Sequence, residues 1–168
     1  MYILQIKKLR QQLASEGLSE KHALYYYLAT AILSTLIYEA VANSPGSGGT
    51  MVPVDYLDGV LDLIFTTVGI IWCYMQNGGA DGVNFLRRIV PIGWVMLWRL
   101  LLGGLIPFTI VIGLLNWYTT GDYGRPETES VIEVIIHNGL FLGMFWRMGV
   151  HMKWVADTAA TAQVQTQV

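Results

Sequence analysis

An all-α fold is predicted from this sequence: a bundle of four transmembrane helices with both termini in the cytoplasm. Three observations carry that reading. Of the 168 residues, 54% are hydrophobic and only 13% are charged, whereas a soluble domain carries about 25% charge. The apolar residues gather in four blocks, 22–42, 54–75, 89–118 and 131–153, and about 20 such residues suffice to cross about 30 Å of hydrocarbon. The basic residues fall almost entirely on one side of those blocks. No strand alternation or internal repeat competes with this pattern. In lipid the backbone must satisfy its own hydrogen bonds, so each block is read as a helix.

The chain divides into an amphipathic segment (1–18), a membrane domain (19–156) and a tail (157–168). In "YILQIKKLRQQLAS" the apolar Ile6, Leu9 and Leu13 recur at helical spacing among Lys7, Lys8 and Arg10. Such a helix is expected to lie along the cytoplasmic membrane surface, the alternative being an ordinary solvated helix. Gly17 ends it and Ser19 caps the next one. The first block is read as a span and not as a cleaved leader. Ala40 and Ala42 resemble a cleavage site, but Glu16 and Glu20 precede the block and Tyr25, Tyr26 and Tyr27 lie within it.

Turn-forming stretches separate the blocks: "NSPGSGG" (43–49), "QNGGADG" (76–82) and "TTGDYGRPETES" (119–130). The second block contains Cys73, which is read as a packing residue; a lone cysteine excludes an internal disulfide. In the third block Pro91 falls in the first turn, while Gly103, Gly104 and Pro107 are expected to bend an overlong helix. The fourth block carries Met144, Met148 and Met152 on one stripe, read as packing. The tail, "DTAATAQVQTQV", shows no periodicity and is expected to be disordered.

Orientation follows from the basic residues. Lys7, Lys8, Arg10, Lys21, Arg87, Arg88, Arg147 and Lys153 share one side, and only Arg125 lies on the other. The protein is therefore expected in a bacterial inner membrane with both ends cytoplasmic. Tyr38, Tyr56, Trp117 and Tyr118 suit the outer interface, and Trp72, Tyr74, Trp146 and Trp154 the inner one. Arg87, Arg88, Arg147, His151 and Lys153 form a candidate surface for lipid headgroups or a partner.

The tenth basic residue, Arg99, interrupts the third block. Eleven residues beyond Arg88, it would lie about 16 Å into the membrane. A charge there demands a partner or water. Asp62, on one helical face with Asp55 and Asp58, falls at a matching depth, so an Arg99–Asp62 pair is expected. The alternative places 84–98 at the interface, with Arg99 among the headgroups. Glu133 and His137 share a face of the last block, and Glu39 ends the first at a similar level. The expected buried polar network is thus Glu39, Asp58, Asp62, Arg99, Glu133 and His137.

These residues leave function open. Carboxylates beside a histidine can ligate metal, with Asp62, Glu133 and His137 the candidates. But Glu133 and His137 stand four apart, whereas di-iron bundles use Glu-x-x-His. There is no zinc motif, phosphate-binding loop or dinucleotide fingerprint. No cofactor and no nucleic-acid partner is predicted. The expected function is a non-catalytic membrane accessory, scaffold or assembly subunit. Its expected partners are membrane lipids and either a membrane protein or a second copy. The alternatives are proton or small-cation transport through the acidic–histidine cluster and, third, a membrane metalloenzyme.

One resemblance adds to this. The stretches "NGGADGVNFLRRIVPIGWVMLWR" (77–99), "WRMGVHMKWVA" (146–156) and "LSEKHALYYYLATAIL" (18–33) resemble small four-helix membrane proteins of bacteria. The shared positions are Asn77, Gly78, Gly79, Phe85, Arg88, Gly93, Trp94, Arg99, Trp146, Arg147 and His151. The resemblance implies the topology and the inner membrane, and it brings no activity with it.

Overall fold

A computed structural model describes residues 2–42, 53–120 and 131–165. Among them the protein is all helical: α1 (Ile6–Ser15), α2 (Glu20–Ala42), α3 (Pro53–Gln76), α4 (Phe85–Leu100), α5 (Ile106–Thr120) and α6 (Val131–Gln165). A short 3-10 turn, Gly79–Asp81, precedes α4, and a π-helical turn, Leu101–Leu105, joins α4 to α5. Two stretches, Tyr56–Gln76 and Phe85–Leu115, are long and apolar enough to cross a membrane.

Side-chain contacts fix how the helices run. Asp58 meets Asn138, and Gly69 and Trp72 meet Phe145 and Gly149, so α3 and α6 are parallel. Gly69 and Gly149 are close-approach positions: a Cβ on the first would overlap the Phe145 ring, and on the second the Trp72 indole. The α4–α5 rod runs the other way, with Gly93 against Met148 and Gly104 against Leu140. Where a bend is expected, the two glycines instead fall in a π turn, a local change in the hydrogen-bond ladder.

The first helix departs from its expected place. α1 does not present its apolar stripe to a membrane surface: Ile6, Leu9, Leu13 and Ala14 are buried, and α1 packs on α4 and α6. The Arg10 guanidinium stacks 4.2 Å from the Trp154 ring, a cation–π contact. Gly17, at φ +73°, reverses the chain, and the Tyr2 backbone N–H reaches the Tyr26 hydroxyl on α2 at 2.7 Å. Ser19 caps α2 as expected: its hydroxyl accepts the His22 N–H at 3.4 Å. An amphipathic stripe is satisfied equally by lipid or by protein; here α4 and α6 supply the second.

Two further boundaries differ. α4 begins four residues before the third apolar block, so Pro91 sits inside the helix and removes a ladder donor there. α6 continues through Gln165 where a disordered tail is expected. The four alanines at 156, 159, 160 and 162 explain this, because alanine is the best helix former and needs no packing to be one.

The packed core occupies one end of the molecule. Leu9, Cys73, Ile92, Val95, Met152 and Val155 are buried together where α1, the end of α3, α4 and the latter half of α6 meet. Toward the other end the helices turn large apolar side chains outward: Leu36 on α2, Leu63 and Val68 on α3, Ile110 and Leu114 on α5, and Ile135 on α6.

Candidate functional site

The polar residues separate into two groups, on opposite sides of the close α3–α6 contact. The first lies where α3 and α6 begin. Asp58, one turn into α3, accepts a hydrogen bond at Oδ1 from the Asn138 side-chain amide at 2.6 Å. Its Oδ2 faces His137 Nδ1 at 3.4 Å. Asp62, one turn on, presents a buried Oδ1 with no hydrogen-bonding partner. Donor atoms of Asp58, Asp62 and His137 all lie within 4.8 Å of one another. The His137 ring is braced by the edge of Phe141, with ring centres 5.0 Å apart. Helical spacing builds the cluster: 58 and 62 share a face of α3, and 137 and 138 bring imidazole and amide to the facing side of α6.

Of the expected network, this cluster unites Asp58, Asp62 and His137. The side chains of Glu39 and Glu133 lie outside the described residues. Asn138 is an addition, buried to 4% exposure. Its signal was adjacency to His137 in an apolar helix, where an amide needs a partner as much as an acid does.

Arg99 does not join the cluster, and the expected Arg99–Asp62 pair is not formed. The Arg99 side chain is exposed and donates to the Leu4 carbonyl at 2.8 Å. Its reach is spent on the segment leading into α1, which the sequence placed elsewhere. Arg99 thus sits toward the packed end, beside the residues that precede α1, and away from the level of Asp62.

The second group lies at the packed end. The buried arginine here is Arg88, at 5% exposure. It donates to the Asn77 side-chain oxygen Oδ1 at 2.9 Å, and the Asn77 side-chain amide in turn donates to the Val83 backbone carbonyl at 3.2 Å. This couples the end of α3 to the start of α4. Gly82 closes the turn so tightly that a Cβ would lie 2.8 Å from the Asn77 amide nitrogen.

The expected headgroup or partner surface is therefore divided. Arg87, paired with Glu20, and Arg147 and Lys153 are exposed. Arg88 and His151 are buried instead. His151 has both ring nitrogens without a hydrogen-bonding partner. A groove lined by Gln76, Asn77, Arg88, Lys153 and Asp157 opens beside this group.

The fold and the two groups define an all-helical protein with two membrane-length apolar stretches, a tight polar cluster between α3 and α6, and a compact basic end. No protein-family model, curated protein or solved structure matches the chain.

Proposed function

We propose that the chain is a multi-pass integral membrane protein of four spans, with both termini cytoplasmic, acting as a non-catalytic accessory or scaffold subunit. The carrying observation is the apolar exterior. Large apolar side chains face outward along the whole length of the helices, Leu36, Leu63 and Ile110 toward one end and Met75, Leu86 and Val150 toward the other, while the packed core gathers at that second end. An apolar exterior of that extent needs a non-aqueous surrounding. The basic residues cluster at the packed end, which supports placing that end on the cytoplasmic side. On this placement Arg99 lies near the inner boundary, and the π turn together with α5, residues 101–120, supplies the third span.

The same geometry weighs against the alternative of conduction. Below the Asp58–His137 cluster, α3 and α6 close on each other through Gly69 against Phe145 and Trp72 against Gly149. The buried Cys73 thiol reaches the Phe145 carbonyl at 3.8 Å. A path between these helices would have to part them.

Two measurements test the reading. In right-side-out vesicles, a membrane-impermeant maleimide should label Ser47→Cys, and should label Glu16→Cys only after permeabilisation. Labelling of the two in the opposite order would overturn the topology. Crosslinking in membranes followed by mass spectrometry should recover a defined membrane-protein partner or a second copy. A chain that crosslinks to nothing, and drives ion flux alone in proteoliposomes, would overturn the scaffold role.

A further inference from the structure

We propose that Asp58, Asp62 and His137, with the buried amide oxygen of Asn138 beside them, bind one first-row divalent metal ion such as Mn²⁺, Fe²⁺ or Zn²⁺. This goes beyond the scaffold reading and does not depend on it. The first observation is spacing. Donor atoms from the three residues gather within 4.8 Å of one another. The His137 Nδ1 to Asp58 Oδ2 separation of 3.4 Å is long for a direct hydrogen bond. It matches the edge of a coordination polyhedron, about 3.4 Å for tetrahedral bonds of about 2.1 Å.

The second observation is independent of the acids. Asn138 is 4% exposed, and its amide nitrogen is already committed, donating to Asp58 at 2.6 Å and to the Val134 carbonyl at 2.9 Å. That double donation fixes which end of the amide is oxygen. The oxygen of the same amide is buried with no partner. The Asp62 Oδ1 is in the same state. Two buried acceptors without a donor, next to a carboxylate and an imidazole, call for a positive species.

Charge points the same way. α3 contains no lysine or arginine, and neither does α6 before Arg147. Arg99, the one cation expected to compensate the acids, is bonded to Leu4 instead. The two carboxylates carry a charge that one divalent ion cancels, and the imidazole and the amide carbonyl offer it further donor atoms. The donor set of mixed oxygen and nitrogen favours first-row metals over Mg²⁺ or Ca²⁺, which prefer oxygen alone.

The test uses the full chain in detergent, tag removed, stripped with chelator and reloaded with Mn²⁺, Zn²⁺, Mg²⁺ or Ca²⁺. Elemental analysis should find one Mn²⁺ or Zn²⁺ per chain after gel filtration. Asp62→Asn and His137→Gln should each weaken retention at least tenfold, and His22→Ala, at an exposed histidine outside the cluster, should leave it unchanged. Circular dichroism and continued protection of Cys73 from maleimide establish that the variants fold. The wild-type chain offers a readout that needs no variant: pulsed EPR of bound Mn²⁺ should detect nitrogen coupling from one imidazole. No stoichiometric metal, equal retention by Asp62→Asn and His137→Gln, preference for Mg²⁺ or Ca²⁺, or Mn²⁺ lacking nitrogen coupling would each overturn the proposal.

Discussion

At the scale of single residues, two arginines exchange the roles their positions suggest. Arg99 interrupts an apolar block, yet its side chain is exposed and holds one backbone carbonyl. Arg88 stands at the edge of a block, yet it is buried on Asn77. Truncating one member of a buried pair strands the other, and a stranded charged group costs more than the bond itself. Asn77→Ala should therefore lower stability by about 2–3 kcal/mol. Arg99→Ala, at the surface, should cost about 0.5 kcal/mol. Thermal unfolding in one detergent, followed by circular dichroism, measures both. A larger loss from Arg99→Ala would show that the exposed arginine carries the charge problem after all. The sequence indicated that acids and a histidine on apolar helices meet, because helical spacing sets which residues share a face. Which way Arg99 points was not legible. Its rotation depends on where residues 2–5 go, and their path is set by tertiary packing of α1.

At the scale of elements, α1 has an apolar stripe that the sequence displays plainly and a destination that it does not. Ile6, Leu9 and Leu13 would serve a membrane surface as well as a groove, since both are apolar. The difference is the cost of removing a buried group. A leucine lost from a packed site leaves a cavity as well as forfeiting transfer energy, about 2–5 kcal/mol. A leucine lost from a lipid interface leaves fluid chains that fill the gap. Leu9→Ala should accordingly lower the unfolding midpoint of the whole protein, where an interfacial α1 would leave it unmoved. The α3–α6 contact yields a second expectation. Gly149→Val places a branched side chain into the Trp72 indole, so the helices must separate. Cys73, buried in that contact, should then become reactive toward maleimide in the folded variant, while the wild-type thiol stays protected. Glycines in apolar helices are legible as candidates for close approach, but the facing ring is not, because partner choice is a property of the pair. The α6 extension is illegible for a simpler reason: an alanine-rich segment lacks periodicity and still forms a helix on propensity alone.

At the scale of the whole molecule, surface exposure has two meanings, and two leucines separate them. Leu63 on α3 is 69% exposed and Leu86 at the start of α4 is 71% exposed. In water the two would be equivalent, and a polar substitution at either would shift stability by about 0.5 kcal/mol or less. If the apolar end is embedded, Leu63 faces hydrocarbon while Leu86, beside Arg87 at the packed end, faces headgroups or cytosol. Arginine near the centre of a spanning helix costs about 2.5–3.5 kcal/mol on insertion scales, and close to nothing in a basic cytoplasmic flank. Leu63→Arg should therefore reduce the fraction that resists alkaline carbonate extraction, and should lower the unfolding midpoint of whatever is inserted. Leu86→Arg should leave both at the wild-type level. The comparison holds side-chain chemistry and exposure nearly constant and varies only position along the bundle. Equal behaviour of the two variants would mean that the surface is not divided between solvents. The apolar exterior would then have to be covered by protein, as the face of a larger assembly, and the four-span topology would fall with it.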